Sequence, residues 1–285
     1  MKKIVYSLLL ISIAANVYAQ NALPATSDKN SLGGANSDVN DSAPARKTDS
    51  VIVISFDNGD RYEGGMENQK RNGYGVFSWS NGDRYEGDWY EDKRNGQGVQ
   101  TWANGNRYEG NWKDDTRFGY GVFSWNDGQR YEGNWMDDQQ NGQGIFTWPN
   151  GDRYEGNWED DLQNGYGVYT WAIGNRYEGD WVDDIREGHG VFTWTNGNKY
   201  DGNWEAGNMS GYGVFTWGKG TKWEGQKYEG SFKENKKWGH GIYTWPDGSR
   251  YDGNWENDKK NGRGILSTGT AVPIEGVWRN DVYVH

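Results

Sequence analysis

Between Asn150 and Trp171 the chain alternates. In Arg153 to Trp158, Tyr154, Gly156 and Trp158 share one parity, while Arg153, Glu155 and Asn157 share the other. Successive strand residues point to opposite faces, so this is a strand with an aromatic face and a charged face. In the next piece Gly167, Tyr169 and Trp171 share a parity against Val168 and Thr170. No stretch beyond the N-terminal region shows apolar residues at a 3.6-residue period. The pattern predicts an all-β chain of paired strands.

The pair recurs at a fixed interval. A Tyr-Glu-Gly or Tyr-Asp-Gly triplet starts at Tyr62, Tyr85, Tyr108, Tyr131, Tyr154, Tyr177 and Tyr200, a period of 23 residues. Trp223-Glu224-Gly225 stands where the next is due, Tyr228 restarts the count, Tyr251 follows, and Ile274-Glu275-Gly276 ends the series. That gives nine repeats over residues 62–273, a five-residue insertion at 223–227 and a terminal half repeat at 274–285. The insertion is expected to mark a bend. Asn-Gly or Asp-Gly joins each repeat to the next, which is the strongest short hairpin signal. The link inside a repeat, Glu159 to Gln163 for example, reads as longer and acidic. If both aromatic parities share a face, each ring finds a neighbouring glycine to lie over. Each hairpin then buries its rings only against the next, which is why the words repeat.

Composition changes the picture in one respect. Only 33% of residues are hydrophobic, 44 are Gly, and the net charge is −11, values that lean towards disorder. The 18 Trp, 19 Tyr and 8 Phe reverse that inference. Each large ring can bury roughly 150–250 Å², so the core is aromatic rather than aliphatic.

The ends differ from the repeats. Lys2 and Lys3 precede an apolar run from Ile4 to Ala15, and Val17-Tyr18-Ala19 ends in a small residue. Residues 1–19 therefore read as a signal peptide cut between Ala19 and Gln20, with a retained anchor as the alternative. The style of this leader points to export in a Gram-negative bacterium, into the periplasm or beyond the cell. Residues 20–50, rich in Asn, Ser, Asp, Ala and Thr, read as a disordered tether. Val51 to Phe56 is aliphatic, so residues 51–61 read as a capping strand and half repeat. With no cysteine there is neither a lipidation site at the cut nor a disulfide. Without Lys2 and Lys3 the 30 basic residues fall to 28 against 41 acidic, a net charge of −13. That charge excludes nucleic acid as a partner and argues against anionic lipid.

The order Y-E-G-x-W, a turn, then G-x-G at 23 residues per unit resembles the MORN-repeat family over Tyr62 to about Trp278. Departures are local: Met66 and Phe232 replace the first-strand Trp, and Thr268 replaces the last second-strand Trp. The resemblance implies a solenoid-like, elongated single antiparallel sheet of tandem β-hairpins with a groove along it. At about 4.8 Å per strand it would span roughly 90 Å. Such repeats accompany kinase or methyltransferase domains elsewhere, and nothing in this chain is long enough to be one.

Candidate chemistry is sparse. His189 and His240 fill the middle of G-x-G and are expected to be surface variants of one slot, about 20 Å apart and unable to share a metal. The acidic turns, such as Asp114-Asp115 and Asp183-Asp184, lack the D-x-D-x-D-G spacing of calcium loops and are expected to form a solvated edge. Arg61, Arg84, Arg107, Arg130, Arg153 and Arg176 each precede a Glu by two positions on the same face, so mutual ion pairing is expected. The aromatic ladder carries the functional promise. Candidate groove residues are Tyr85, Trp89, Tyr108, Trp112, Tyr131, Trp135, Tyr154, Trp158, Tyr177, Trp181, Tyr200 and Trp204. The expectation is a non-enzymatic scaffold of the cell envelope, without cofactor or metal, that docks a protein segment in this groove or on an open sheet edge. Glycan binding is the alternative, lipid association a weaker one, and the terminal edge near Trp278 invites homodimer formation.

Overall fold

The computed structural model describes residues 51–284. The signal-peptide, cleavage-site and tether readings lie outside those residues. The described chain is one 21-stranded antiparallel sheet. Its strands pair in chain order, from Ile52–Ser55 against Arg61–Glu67 to Ile274–Arg279 against Val282–Tyr283. First strands such as Arg153–Glu159 are 7 residues long, and second strands such as Leu162–Thr170 are 9.

The tyrosine and its two glycines explain the repeat's vocabulary. Tyr154 pairs with Tyr169 and Gly156 with Gly167 across one hairpin. The Tyr154 ring lies along the sheet over both glycines: a Cβ on Gly156 would come within 2.7 Å of its hydroxyl, and one on Gly167 within 2.5 Å of the ring. Any larger residue at either position displaces the ring. The hydroxyl then donates to the Asn157 carbonyl at 3.0 Å. That carbonyl is reachable because the register shifts between Gly156 and Trp158, leaving Asn157 bulged. The same bond recurs from Tyr62 to Gly65 and from Tyr251 to Asn254. All nine repeat tyrosines, from Tyr62 to Tyr251, are fully buried.

The turns reverse the expectation. The acidic link is the tight one, two residues long, with Asp160 at φ 49° and Asp161 at φ 69°. Asp and Asn tolerate the left-handed region that such a turn needs at both positions. The Asn-Gly link is the longer one. Trp148 N donates to Asp152 O and Gly151 N to Trp148 O, each at 2.9 Å, with only Gly151 left-handed. Both turns are tied to neighbouring repeats. Asp161 Oδ1 accepts from Gln140 N at 2.7 Å, one repeat back, and Asp152 Oδ1 from Ala172 N at 2.7 Å, one repeat on. The carboxylates of the acidic edge are thus latches between hairpins. Among the described residues no group of His, Cys, Asp or Glu could hold a metal.

The insertion does not break the ladder. Phe215 still pairs with Tyr228 and Gly213 with Gly230 across it. The extra residues lengthen the Asn-Gly type of turn between Thr216 and Lys227, closed by Trp217 N donating to Gln226 O at 3.1 Å. That turn already projects beyond the strands, so it absorbs length that a two-residue turn could not.

Candidate partner-binding trough

The aromatic face holds two rows of rings. The deeper row is made of the first-strand residues singled out above. Tyr85, Tyr108, Tyr131, Tyr154, Tyr177 and Tyr200 are 0% exposed. Trp89, Trp112, Trp135, Trp158, Trp181 and Trp204 are 3–6% exposed. Each of these indoles stands edge-on to a tyrosine on either side, as Trp158 does to Tyr154 at 5.1 Å and to Tyr131 at 5.5 Å. Its N–H donates to a glycine carbonyl of the preceding repeat, Trp158 to Gly144 O at 3.3 Å. These twelve residues form the core of the sheet, and their polar atoms are bonded to backbone. Burial pushes the Tyr62 and Tyr251 hydroxyls up to about 12, and raises that of Tyr154 as well.

The second row lies above the first and was not singled out from the sequence. From Trp102 to Trp245 thirteen second-strand rings follow one another with centroids 4.4–5.4 Å apart. Phe or Tyr alternates with Trp along it. Trp79, Trp102, Trp125, Trp148, Trp171, Trp194, Trp217 and Trp245 are only partly buried. None of their indole N–H groups has an acceptor among the described residues, and none is sealed from solvent. The signal was present in the sequence, since each of these Trp directly follows its strand, beside a turn rather than inside the sheet.

Opposite this row runs a line of long side chains at the second position of each second strand, polar in all but Met209. Arg71, Arg94 and Arg117 lay their guanidinium carbons 4.1, 4.0 and 4.2 Å from the rings of Trp89, Trp112 and Trp135. Their Nε atoms donate to Asp92, Asp115 and Asp138 at 3.2, 3.1 and 2.9 Å. Further on, Arg186 covers Trp204 at 4.4 Å, and Lys237 and Lys260 cover Trp255 and Trp278 at 4.5 and 4.4 Å. Burial lowers the affinity of Arg186, Lys237 and Lys260 for their protons. Between the two lines runs an open trough. One stretch of about 870 Å³ extends from Ile54 to Asp115, and a second of about 790 Å³ from Arg94 to Asp184.

The other face of the sheet is charged. Arg61–Glu63, Arg84–Glu86, Arg107–Glu109, Arg130–Glu132, Arg153–Glu155 and Arg176–Glu178 pair at 2.5–2.7 Å, as their spacing predicts. Tyr74, Tyr166 and Tyr212 donate to Glu86, Glu178 and Glu229 at 2.5–2.7 Å. His189 and His240 lie on this face beside Asp201 and Asp252, at 3.3 and 3.0 Å.

A family model described as MORN repeat matches residues 62–84, 85–107, 108–130, 131–153, 154–176, 177–199, 200–222, 228–250 and 251–270. The break between 222 and 228 coincides with the inserted residues. No curated protein sequence matches the chain. Among solved structures, the TCP10 domain of Danio rerio CPAP is similar at 12% identity and a TM-score of 0.37, over 80% of this chain and 100% of that one. The Drosophila melanogaster SAS-4 TCP domain, solved in complex with a proline-rich motif of Ana2, is similar at 12% identity and a TM-score of 0.34, over 70% and 95%.

Proposed function

We propose that this chain, which belongs to the MORN-repeat family, is a non-enzymatic scaffold of the cell envelope that docks an extended protein segment along the aromatic trough. The observation that carries this reading is the row of eight part-buried second-strand tryptophans, of which Trp79, Trp102, Trp125 and Trp148 line the trough, with no protein acceptor for their N–H groups among the described residues. A partner strand laid across the repeats would offer one carbonyl to each indole while its side chains cover the rings. Export rests on Lys2, Lys3, the Ile4–Ala15 run and Ala19. The non-enzymatic reading rests on how the polar groups of the trough are used. Arg94 and Arg117 are stacked on rings and bonded to aspartates, and those aspartates latch neighbouring hairpins. A glycan could use the same indole row, so both readings meet one test.

The test is in-cell cross-linking of tagged full-length protein followed by mass spectrometry of the adducts. Loss of a dominant envelope-protein adduct in Trp125→Ala/Trp148→Ala, but not in the opposite-face variant Arg153→Ala, is the expected result. Retention on isolated cell wall without any protein adduct would overturn the protein reading in favour of glycan.

A further inference from the structure

The trough carries its own comparison. The line opposite the indoles reads Arg71, Arg94, Arg117, Gln140, Gln163, Arg186, Met209, Lys237 and Lys260, polar at every position but Met209. Each faces the first-strand ring of the following repeat and the second residue of its tight turn. At Arg94 the guanidinium sits over Trp112, its Nε donates to Asp115 Oδ1, and its Nη2 donates to the Asp115 carbonyl at 2.7 Å. Arg117 makes the same set with Trp135 and Asp138. Met209 is also matched, since it faces Phe232 and Asn235, neither of them acidic.

Gln140 and Gln163 do not match their surroundings. They keep the indole and the carboxylate, Trp158 with Asp161 and Trp181 with Asp184. Asp161 and Asp184 hold the latch bonds to Gln140 N and Gln163 N at 2.7 and 2.8 Å. Among the described residues, no cation lies over either indole and neither aspartate has an ion-pair partner. Gln140 and Gln163 are 5% and 6% exposed, yet their side-chain amides make no hydrogen bond among the described residues. Their shorter side chains line the stretch of about 790 Å³ between Arg94 and Asp184. The buried tyrosines register the difference. After burial itself, Asp161 is the next influence raising the proton affinity of Tyr131, whereas at Tyr108 it is Arg117, which lowers it.

We propose that the docked segment presents two arginines, which reach across Gln140 and Gln163 and bond Asp161 and Asp184 as Arg94 and Arg117 bond their own aspartates. This rests on the trough being a peptide site, as proposed above. The spacing sets the sequence of the ligand. Adjacent repeats are two strands apart, about 9.6 Å, and a polyproline-type chain advances about 9.3 Å in three residues. The two arginines are therefore three positions apart on an extended segment. Charge complementarity favours this occupant: two exposed carboxylates without an ion-pair partner among the described residues meet two guanidiniums.

The probe is a short fluorescent peptide with two arginines separated by two prolines, titrated onto the purified mature protein. A peptide with citrulline at both positions keeps the shape and removes the charge. The first should bind at least about tenfold more tightly than the second. Gln140→Arg/Gln163→Arg reproduces the arrangement found at Arg94 and Arg117, so it should keep its circular dichroism and melting temperature while losing the peptide at least about tenfold. Asp161→Asn/Asp184→Asn should weaken the peptide as well. Equal binding of the citrulline peptide, or full binding by a folded Gln140→Arg/Gln163→Arg, would overturn the inference. Cross-linking separates the two readings. An envelope adduct that survives Gln140→Arg/Gln163→Arg but not Trp125→Ala/Trp148→Ala leaves the scaffold standing and removes the arginine pair. An adduct that survives both removes the peptide trough itself.

Discussion

Trp148 and Trp158 are the same side chain, on adjacent strands and the same face of the sheet, and they do different things. Trp158 is 6% exposed, clasped edge-on between Tyr131 and Tyr154, with its N–H bonded to Gly144 O. Trp148 leans on Phe146 and Tyr169 at 4.5 and 5.2 Å, and its N–H has no acceptor among the described residues. A polar atom that is buried must be bonded, whereas one left for a partner must stay accessible. The deep row satisfies itself, and the upper row leaves its donors unbonded among the described residues and within reach of solvent. Burial alone would rank these residues by degree. The hydrogen bonds separate them by kind.

The largest test of that separation is alkaline titration. Burial raises the hydroxyl pKa of Tyr62 and Tyr251 to about 12, and raises those of Tyr85, Tyr108, Tyr131 and Tyr154. An unfolded tyrosine ionises near about 10. A raised folded value means the stabilisation is fully present below about 10 and is lost as pH rises through the folded values. The sheet should therefore unfold steeply above pH about 10, with tyrosinate absorbance and loss of circular dichroism appearing together. Gradual ionisation of the repeat tyrosines in a folded sheet would show that the deep row is accessible after all.

Smaller effects come from single rings. Trp158→Ala removes a clasped core ring and should cost about 3–5 kcal/mol in urea unfolding. Trp158→Phe should cost only about 1–2 kcal/mol, because the chain already uses Phe232 at this position, edge-on to Tyr200 and Tyr228 at 5.0 Å each. Gly167→Ala puts a Cβ against the Tyr154 ring and should cost about 1–3 kcal/mol, with hydrogen exchange quickened in the flanking hairpins. Trp148→Ala is the smallest change to stability, at about 1 kcal/mol, yet it should abolish partner capture in the cross-linking assay. If it destabilises as much as Trp158→Ala, the two rows are one core and the distinction fails.

Much of this architecture was legible in the sequence. The period of 23 and the alternation placed both strands of each hairpin on the correct faces, and the Arg–Glu spacing of the opposite face predicted its ion pairs. The turns were misread for a physical reason. Asn-Gly signals a left-handed pair, yet here only the glycine is left-handed, while Asp160 and Asp161 both adopt that region without any glycine. Counting Leu162 and Gln163 as link rather than strand hid the line of side chains that includes Gln140 and Gln163. The candidate groove residues were chosen for regular spacing, which core and surface rings share. Only the path of each N–H or O–H bond tells them apart. Trp278, at the terminal half repeat, keeps the deep position, and its N–H is buried without an acceptor among the described residues.

The lengthened turn between Trp217 and Gln226 has a consequence for how this protein can be altered. The strands on either side keep their partners despite the added residues. Trp223 stands out from that loop, 48% exposed. Every equivalent turn occupies the same margin of the sheet, one per repeat, at intervals of about 10 Å. The margin is therefore a row of sockets. Loops, tags or whole modules could be mounted there at chosen separations, and the trough would run beneath them unchanged.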